Sequence, residues 1–301
     1  MLKRRALEKI FLTTFIVFVL VIISTFYIKY DSDEIIDRKT VNNSNFNLYT
    51  INNNDYVVST PVFVEDNLSL EEKVLEVLNI MVMNNNKNYL LPSYSSPILP
   101  NGTKVLDVKL NGDILKISFS SELNNISEEQ SSKMIESLVY TLTEFEEVLG
   151  TEIYVEDNLL SYIPNTLDSL PTLLTRDFGI NKVYDLNSNM DIKKIYLSYY
   201  DNLNNKVLVT KYLNDKREDI EIIIEQLVNY SNLDHVVSYL DNKVKLISYS
   251  IGEDVIDLKF NKDISNDNLL YNQVVSSVFL NYDVSKVRLI YDDEIKLEIK
   301  K

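Results

Sequence analysis

The 301-residue chain has no cysteine and no tryptophan, a single histidine, and little glycine (5) or proline (6). Without cysteine there can be no disulfide, thiolate metal site, cysteine nucleophile or cysteine-linked lipid. The shortage of glycine and proline excludes collagen-like and Pro/Gly-rich linker classes. The one imidazole, His235, is too few for a zinc amidase or protease, which needs several imidazoles or imidazoles with carboxylates. Any serine triad would have to share that same residue, and no Gly-x-Ser-x-Gly elbow is present. Walker, Rossmann and EF-hand signatures are also missing. His235 ends the loop-like stretch Ser231–His235 and reads as a surface or packing residue.

What the chain does have is apolar content (45%), enough for real cores, and a length that suggests two domains. Its net charge is −15, yet Lys3, Arg4, Arg5 and Lys9 outweigh Glu8 at the N-terminus, so the acidity belongs to the remainder. A body this acidic repels phosphate backbones, and nucleic acid is not an expected partner. Ile10 to Ile28 contains no charged residue. At ~1.5 Å per residue a helix of this stretch is about 28 Å long, close to the ~30 Å hydrocarbon core. Basic residues before it and Asp31, Asp33 and Glu34 after it place the N-terminus in the cytoplasm. The apolar stretch exceeds a usual signal-peptide core and Ser24-Thr25-Phe26 is a poor cleavage site, so the reading is an uncleaved anchor.

After a polar spacer the chain repeats itself. Lys104–Leu123 and Lys245–Ile264 align without gaps at an offset of 141. Leu106, Val108 and Leu110 correspond to Ile247, Tyr249 and Ile251, and Leu115, Ile117 and Phe119 to Ile256, Leu258 and Phe260. Asn111-Gly112 suits a type I′ turn between the two runs, and Gly252-Glu253 a type II′ turn. A helical pattern precedes each hairpin: Val74, Val77, Leu78, Met81 and Val82, then Ile220, Ile223, Ile224, Leu227 and Val228. Asn67 or Ser69 is the expected cap of the first of these helices and Asp215 of the second. A second helix follows each hairpin, Glu128–Glu144 and about Asp267–Asn281, opened by Ser127 and by Ser265 or Asn266. Closing strands follow at Glu152–Glu156 and Val287–Tyr291. Each copy begins with a hairpin, Phe46–Thr50 with Tyr56–Val64 and Ile195–Tyr200 with Lys206–Leu213. The expected order in each copy is ββαββαβ, with helices on one face of a mainly antiparallel sheet. The expected organisation is a cytoplasmic tail (1–9), a transmembrane helix (10–28), a spacer (29–45), a first domain (46–160), a linker (161–191) and a second domain (192–301).

Three acidic clusters invite a paired-carboxylate hydrolase or weak divalent-cation binding. They are Asp31, Asp33 and Glu34; Glu144, Glu146 and Glu147; and Asp292, Asp293 and Glu294. Solvated faces and a terminal turn explain them more simply. Tyr94, Tyr196, Tyr199 and Tyr200 suggest either a recognition surface or half-buried sheet residues, and alternation within a strand favours the latter. No catalytic, cofactor-binding or metal-ligating residue is assigned, and no cofactor is expected.

The first copy resembles the GerM (GerMN) domain, the sporulation and spore-germination module of Gram-positive bacteria. The resemblance rests on ILPNGTKVLDVKLNGDILKISFSSEL (Ile98–Leu123) and ESLVYTLTEFEEVLGTEIYVED (Glu136–Asp157). Pro100, Gly102 and Thr103 hold the lead-in, and Leu138, Val139, Thr141, Leu142, Thr143 and Phe145 the helix end. Pro171–Asn181, PTLLTRDFGIN, is similar to the segment trailing such domains. The second copy keeps the pattern, with Val275, Phe279 and Tyr282 at the Leu138, Leu142 and Phe145 places. The lipoprotein cysteine often found in the family is missing, and the apolar stretch stands in its place. The resemblance implies a tandem α+β protein with a non-enzymatic scaffold or assembly role in the cell envelope. Its expected partners are the cytoplasmic membrane through residues 10–28 and other envelope proteins or a second copy of itself. The alternative is a peptidoglycan-binding accessory protein; a carboxylate-dependent hydrolase ranks third.

Overall fold

The computed structural model describes residues 43–229 and 233–301. The candidate span Ile10–Ile28 and the cluster Asp31, Asp33 and Glu34 lie outside the described residues. Among the described residues no helix is long and apolar enough to cross a membrane.

The first repeat runs β1 (Asn43–Asn52), β2 (Val57–Glu65), α1 (Leu70–Met81), β3 (Ser95–Ser96), β4 (Val105–Asn111), β5 (Ile114–Phe119), α2 (Glu128–Leu142), β6 (Gly150–Val155) and β7 (Asn158–Leu159). A connecting segment contributes β8 (Val183–Asp185). The second repeat runs β9 (Ile192–Asp201), β10 (Lys206–Asn214), α3 (Asp219–Val228), β11 (Val236–Val237), β12 (Leu246–Ile251), β13 (Val255–Phe260), α4 (Asn268–Asn281), β14 (Lys286–Tyr291) and β15 (Glu294–Lys300).

Each repeat holds two small sheets where the sequence suggests one. The strand orders are β2-β1-β3 and β4-β5-β6-β7, then β11-β9-β10-β8 and β12-β13-β14-β15. The helix α2 is a crossover long enough to bring β6 back parallel to β5, and α4 does the same for β14 on β13. The initial hairpin stays apart because a helix hydroxyl takes a backbone donor of its inner strand. Thr141 Oγ1 accepts from Tyr49 N at 2.9 Å, and Ser277 Oγ accepts from Ser198 N at 2.9 Å. These matched bonds set the second-helix offset at 136, one residue less than the alignment through Val275, Phe279 and Tyr282. Val274 and Val278, both fully buried, therefore take the Leu138 and Leu142 places.

The inner hairpins keep the offset of 141 but move their turns. Asn111 pairs with Ile114, which leaves Gly112-Asp113 as the loop, with Gly112 at φ +66°. In the second copy Gly252 N donates to Val255 O at 2.9 Å, so the loop is Glu253-Asp254. Pairing simply runs one residue further than the glycine positions suggest. Each inner hairpin also carries a bulge at the same place, between Val105 and Asp107 and between Leu246 and Ser248. Beyond the expected closing strands, β7 and β15 return through two-residue acidic turns. Glu156-Asp157 and Asp292-Asp293 all have positive φ, the type I′ conformation.

Ser69 caps α1 with a complete capping box, accepting from Glu72 N while its own N donates to Glu72. Asp215 is not the cap of α3, which Glu218 precedes; its carboxylate is held by Arg217 at 2.6 Å. The α4 cap is Asp267, which accepts from Leu269 N and Leu270 N. Asp267 outcompetes Ser265, whose hydroxyl instead donates to Asp263 at 2.7 Å.

Phe119 and Phe260 are both buried at the centres of their repeats. Two apolar clusters result, and they interlock: Val58 of β2 belongs to the second, while Leu208 of β10 packs on the first.

Candidate functional site

The face of α2 that carries Glu129, Ser132, Lys133 and Glu136 has the i, i+3, i+4, i+7 spacing of one helix side. Against it runs the connecting segment. Together with the β1–β2 loop and the loop around Asp234, they enclose an open cleft of about 1230 Å³ that both repeats line.

Its floor is charged and buried. Glu136 is 2% exposed. It accepts from Asn181 N at 2.8 Å and Ser132 Oγ at 3.2 Å, with Lys182 Nζ 3.6 Å away. Burial pushes the Glu136 carboxyl up, against the opposing pull of Lys182 and the donors. Burial likewise pushes the Lys182 ammonium down, and Phe178 offers its ring face 3.4 Å below that ammonium.

Asn181 is the fastener between the repeats. Its Nδ2 donates to Val57 O and Leu208 O, and its Oδ1 accepts from Val57 N, all at 2.8 Å. One side chain thus joins β2 to β10. Next to it, Ile180 N donates to Thr210 Oγ1 at 2.9 Å, and Thr210 N donates to Ile180 O at 2.8 Å. Gly179 stands at φ +85°, where a Cβ would meet the Thr210 side chain at 3.0–3.2 Å. Arg176 seals the end of α2: it reaches Glu144 at 2.5 Å and Thr143 Oγ1 at 3.1 Å, and lies over Tyr140. Desolvation beside this arginine raises the Tyr49 hydroxyl to about 12. The expected linker is therefore an ordered, bonded part of the fold, and β8 within it pairs with β10.

The residues weighed from sequence scatter. His235 lines the cleft, is exposed, and has φ 59°. Glu144 is taken by Arg176, whereas Glu146 and Glu147 face solvent. Asp293 pairs with Lys259 and Glu294 with Lys296. Among the described residues no group of three or more His, Cys, Asp or Glu could hold a metal ion. Tyr199 and Tyr200 are buried sheet residues, Tyr94 is half-buried, and Tyr196 donates to Asp177 at 3.0 Å. Sequence reasoning missed Glu136, Asn181 and Lys182. The available signal was a glutamate inside the run Met134–Val139, whose other members are apolar or small, and the segment ending at Asn181 that was singled out only by resemblance.

Residues 47–161 match the family described as "Germane: Sporulation and spore germination". The matched segment falls on the first repeat, so it is the first repeat that is similar to this family. Spore germination protein GerM of Bacillus subtilis (strain 168) is 28% identical over 242 residues, covering 78% of this chain and 65% of that protein. The GerM-like chain thus spans somewhat less than two thirds of that relative's length. The tandem GerMN domains of the sporulation protein GerM from Bacillus subtilis superpose with a TM-score of 0.77 at 22% identity. That match covers 86% of this chain and 97% of the other, and it shows that the two-repeat fold is shared.

Proposed function

We propose that this GerM-like protein is a non-enzymatic scaffold of the cell envelope that acts in sporulation or germination. Ile10–Ile28 holds it in the cytoplasmic membrane with the repeats outside, and it works through contacts with other envelope proteins. The observation that carries this reading is the fastening of two like repeats into one body by Asn181 and the interlocked clusters. Two linked contact modules in fixed geometry turn a second binding event into an intramolecular one. The names of the relatives, a spore germination protein and a sporulation protein, supply the process.

A deletion strain complemented with variants tests it, with crosslinking in cells as the second readout. His235→Ala and single neutralisations of Glu144, Asp292 or Asp293 should rescue fully. Export without residues 1–28 should weaken function by releasing the repeats from the membrane surface. A single carboxylate change that abolishes function while folding and crosslinks persist would hand the case to a hydrolase.

A further inference from the structure

The inter-repeat cleft has chemistry that selects a class of partner. Around it the chain seats its own cations on aromatic faces: Lys182 on Phe178 at 3.4 Å, Arg176 on Tyr140 at 5.2 Å and Lys194 on Tyr196 at 5.3 Å. The cleft wall holds one further aromatic platform. Tyr184 of β8 and Tyr212 of β10 are register partners with rings stacked at 4.9 Å and 13°. One Tyr184 face rests on Tyr212 while the side chain remains 65% exposed, so its other face is open to the cleft. Desolvation is the first cause that pushes the Tyr184 and Tyr212 hydroxyls up; Glu136 adds to it at both, with Asp168 acting on Tyr184, while Lys194 opposes the rise at Tyr212. The lysines in the wall are already engaged, Lys133 with Asp55 and Lys182 with Glu136. Glu129, Asp168 and Asp234, by contrast, form no ion pair among the described residues. An open π face in a cleft that also holds carboxylates without an ion-pair partner attracts ammonium and guanidinium groups and repels anions.

We infer that the cleft is the docking site for a lysine- or arginine-bearing segment of a partner protein, with one cationic side chain seated on Tyr184. This deepens the scaffold reading and rests on it: it gives the chemistry of the contact. The cleft is built from both repeats, so only the intact tandem offers it.

The test is calorimetric titration of the full-length protein with a hexapeptide alternating lysine and glycine, with spermidine and a glutamate–glycine hexapeptide as comparison ligands. The lysine peptide should bind one to one and weaken with salt, and the glutamate peptide should not bind. Tyr184→Phe should keep the affinity, while Tyr184→Leu should lower it about two- to five-fold, the span of an exposed cation–π contact. The triple variant Glu129→Gln, Asp168→Asn, Asp234→Asn should lower it about ten-fold or more with an unchanged thermal midpoint. Binding that ignores all of these substitutions is diffuse attraction to an acidic surface and overturns the site. Binding of spermidine without the peptide overturns the peptide assignment. If the peptide fails while envelope crosslinks persist in cells, only the cleft assignment falls. If crosslinks to partners are absent from the wild type, the scaffold reading itself falls.

Discussion

Single side chains carry unequal loads in this fold. Phe119 and Phe260 fill equivalent buried places in the two repeats. Replacing either with alanine should cost about 3–5 kcal/mol, measured by urea unfolding, the usual range for removing a buried aromatic. Asn181→Ala removes one acceptor and two donors at once and strands the backbone groups of Val57 and Leu208. A loss of about 2–4 kcal/mol is expected, since buried unpaired groups cost about 1–3 kcal/mol each. Glu136 answers to pH. Its carboxyl is raised by burial, so the folded chain keeps that proton to higher pH than the unfolded chain. The stability that Glu136 contributes is therefore full below the ordinary carboxylate range near ~4.3 and falls as pH climbs through the raised folded-state value. Glu136→Gln cancels that fall. The stability of the variant minus that of wild type should rise with pH across this window, and a flat difference in urea midpoints would contradict the assignment.

Among the elements, the caps offer the cleanest check. Ser69→Ala should destabilise by about 1 kcal/mol, because it breaks a capping box that satisfies two backbone donors. Asp267→Ala should cost a similar amount in the second repeat, since it serves Leu269 N and Leu270 N. Both can be read from thermal midpoints. Elements of this kind were legible in the sequence where a period of 3.6 or 2 ran through consecutive residues, as in Val74–Val82 and Leu115–Phe119. Short strands such as β3, β8 and β11 were not legible, because two or three residues carry no period and exist only through a neighbouring strand. The two-sheet arrangement was hidden for a related reason: it depends on Thr141 and Ser277 hydroxyls meeting backbone donors far away in the chain. Glycine placed both inner turns one residue early, since it marks flexibility more faithfully than register. The cleft was illegible because its floor joins α2 to residues some 45 positions later.

For the molecule as a whole, the interlocked clusters and the Asn181 bonds couple the two repeats. Wild type should unfold in one calorimetric transition, and Asn181→Ala should broaden or split it, with the Phe119→Ala and Phe260→Ala backgrounds showing which half melts first. The contact between the repeats has one more property. Asn52 and Asp201 each organise the loop of the first hairpin in their own repeat, Asn52 by accepting from Asn54 N and Tyr56 N, Asp201 from Leu203 N and Asn205 N. These two equivalent residues also meet each other, Asn52 Nδ2 donating to Asp201 Oδ2 at 3.4 Å, and the equivalent strands β2 and β10 lie side by side. Like touching like is the pattern of a two-fold homodimer. The two repeats of one chain thus meet, at this point, as two protomers of such a dimer would. Carried on one chain, that contact is intramolecular and does not depend on protein concentration.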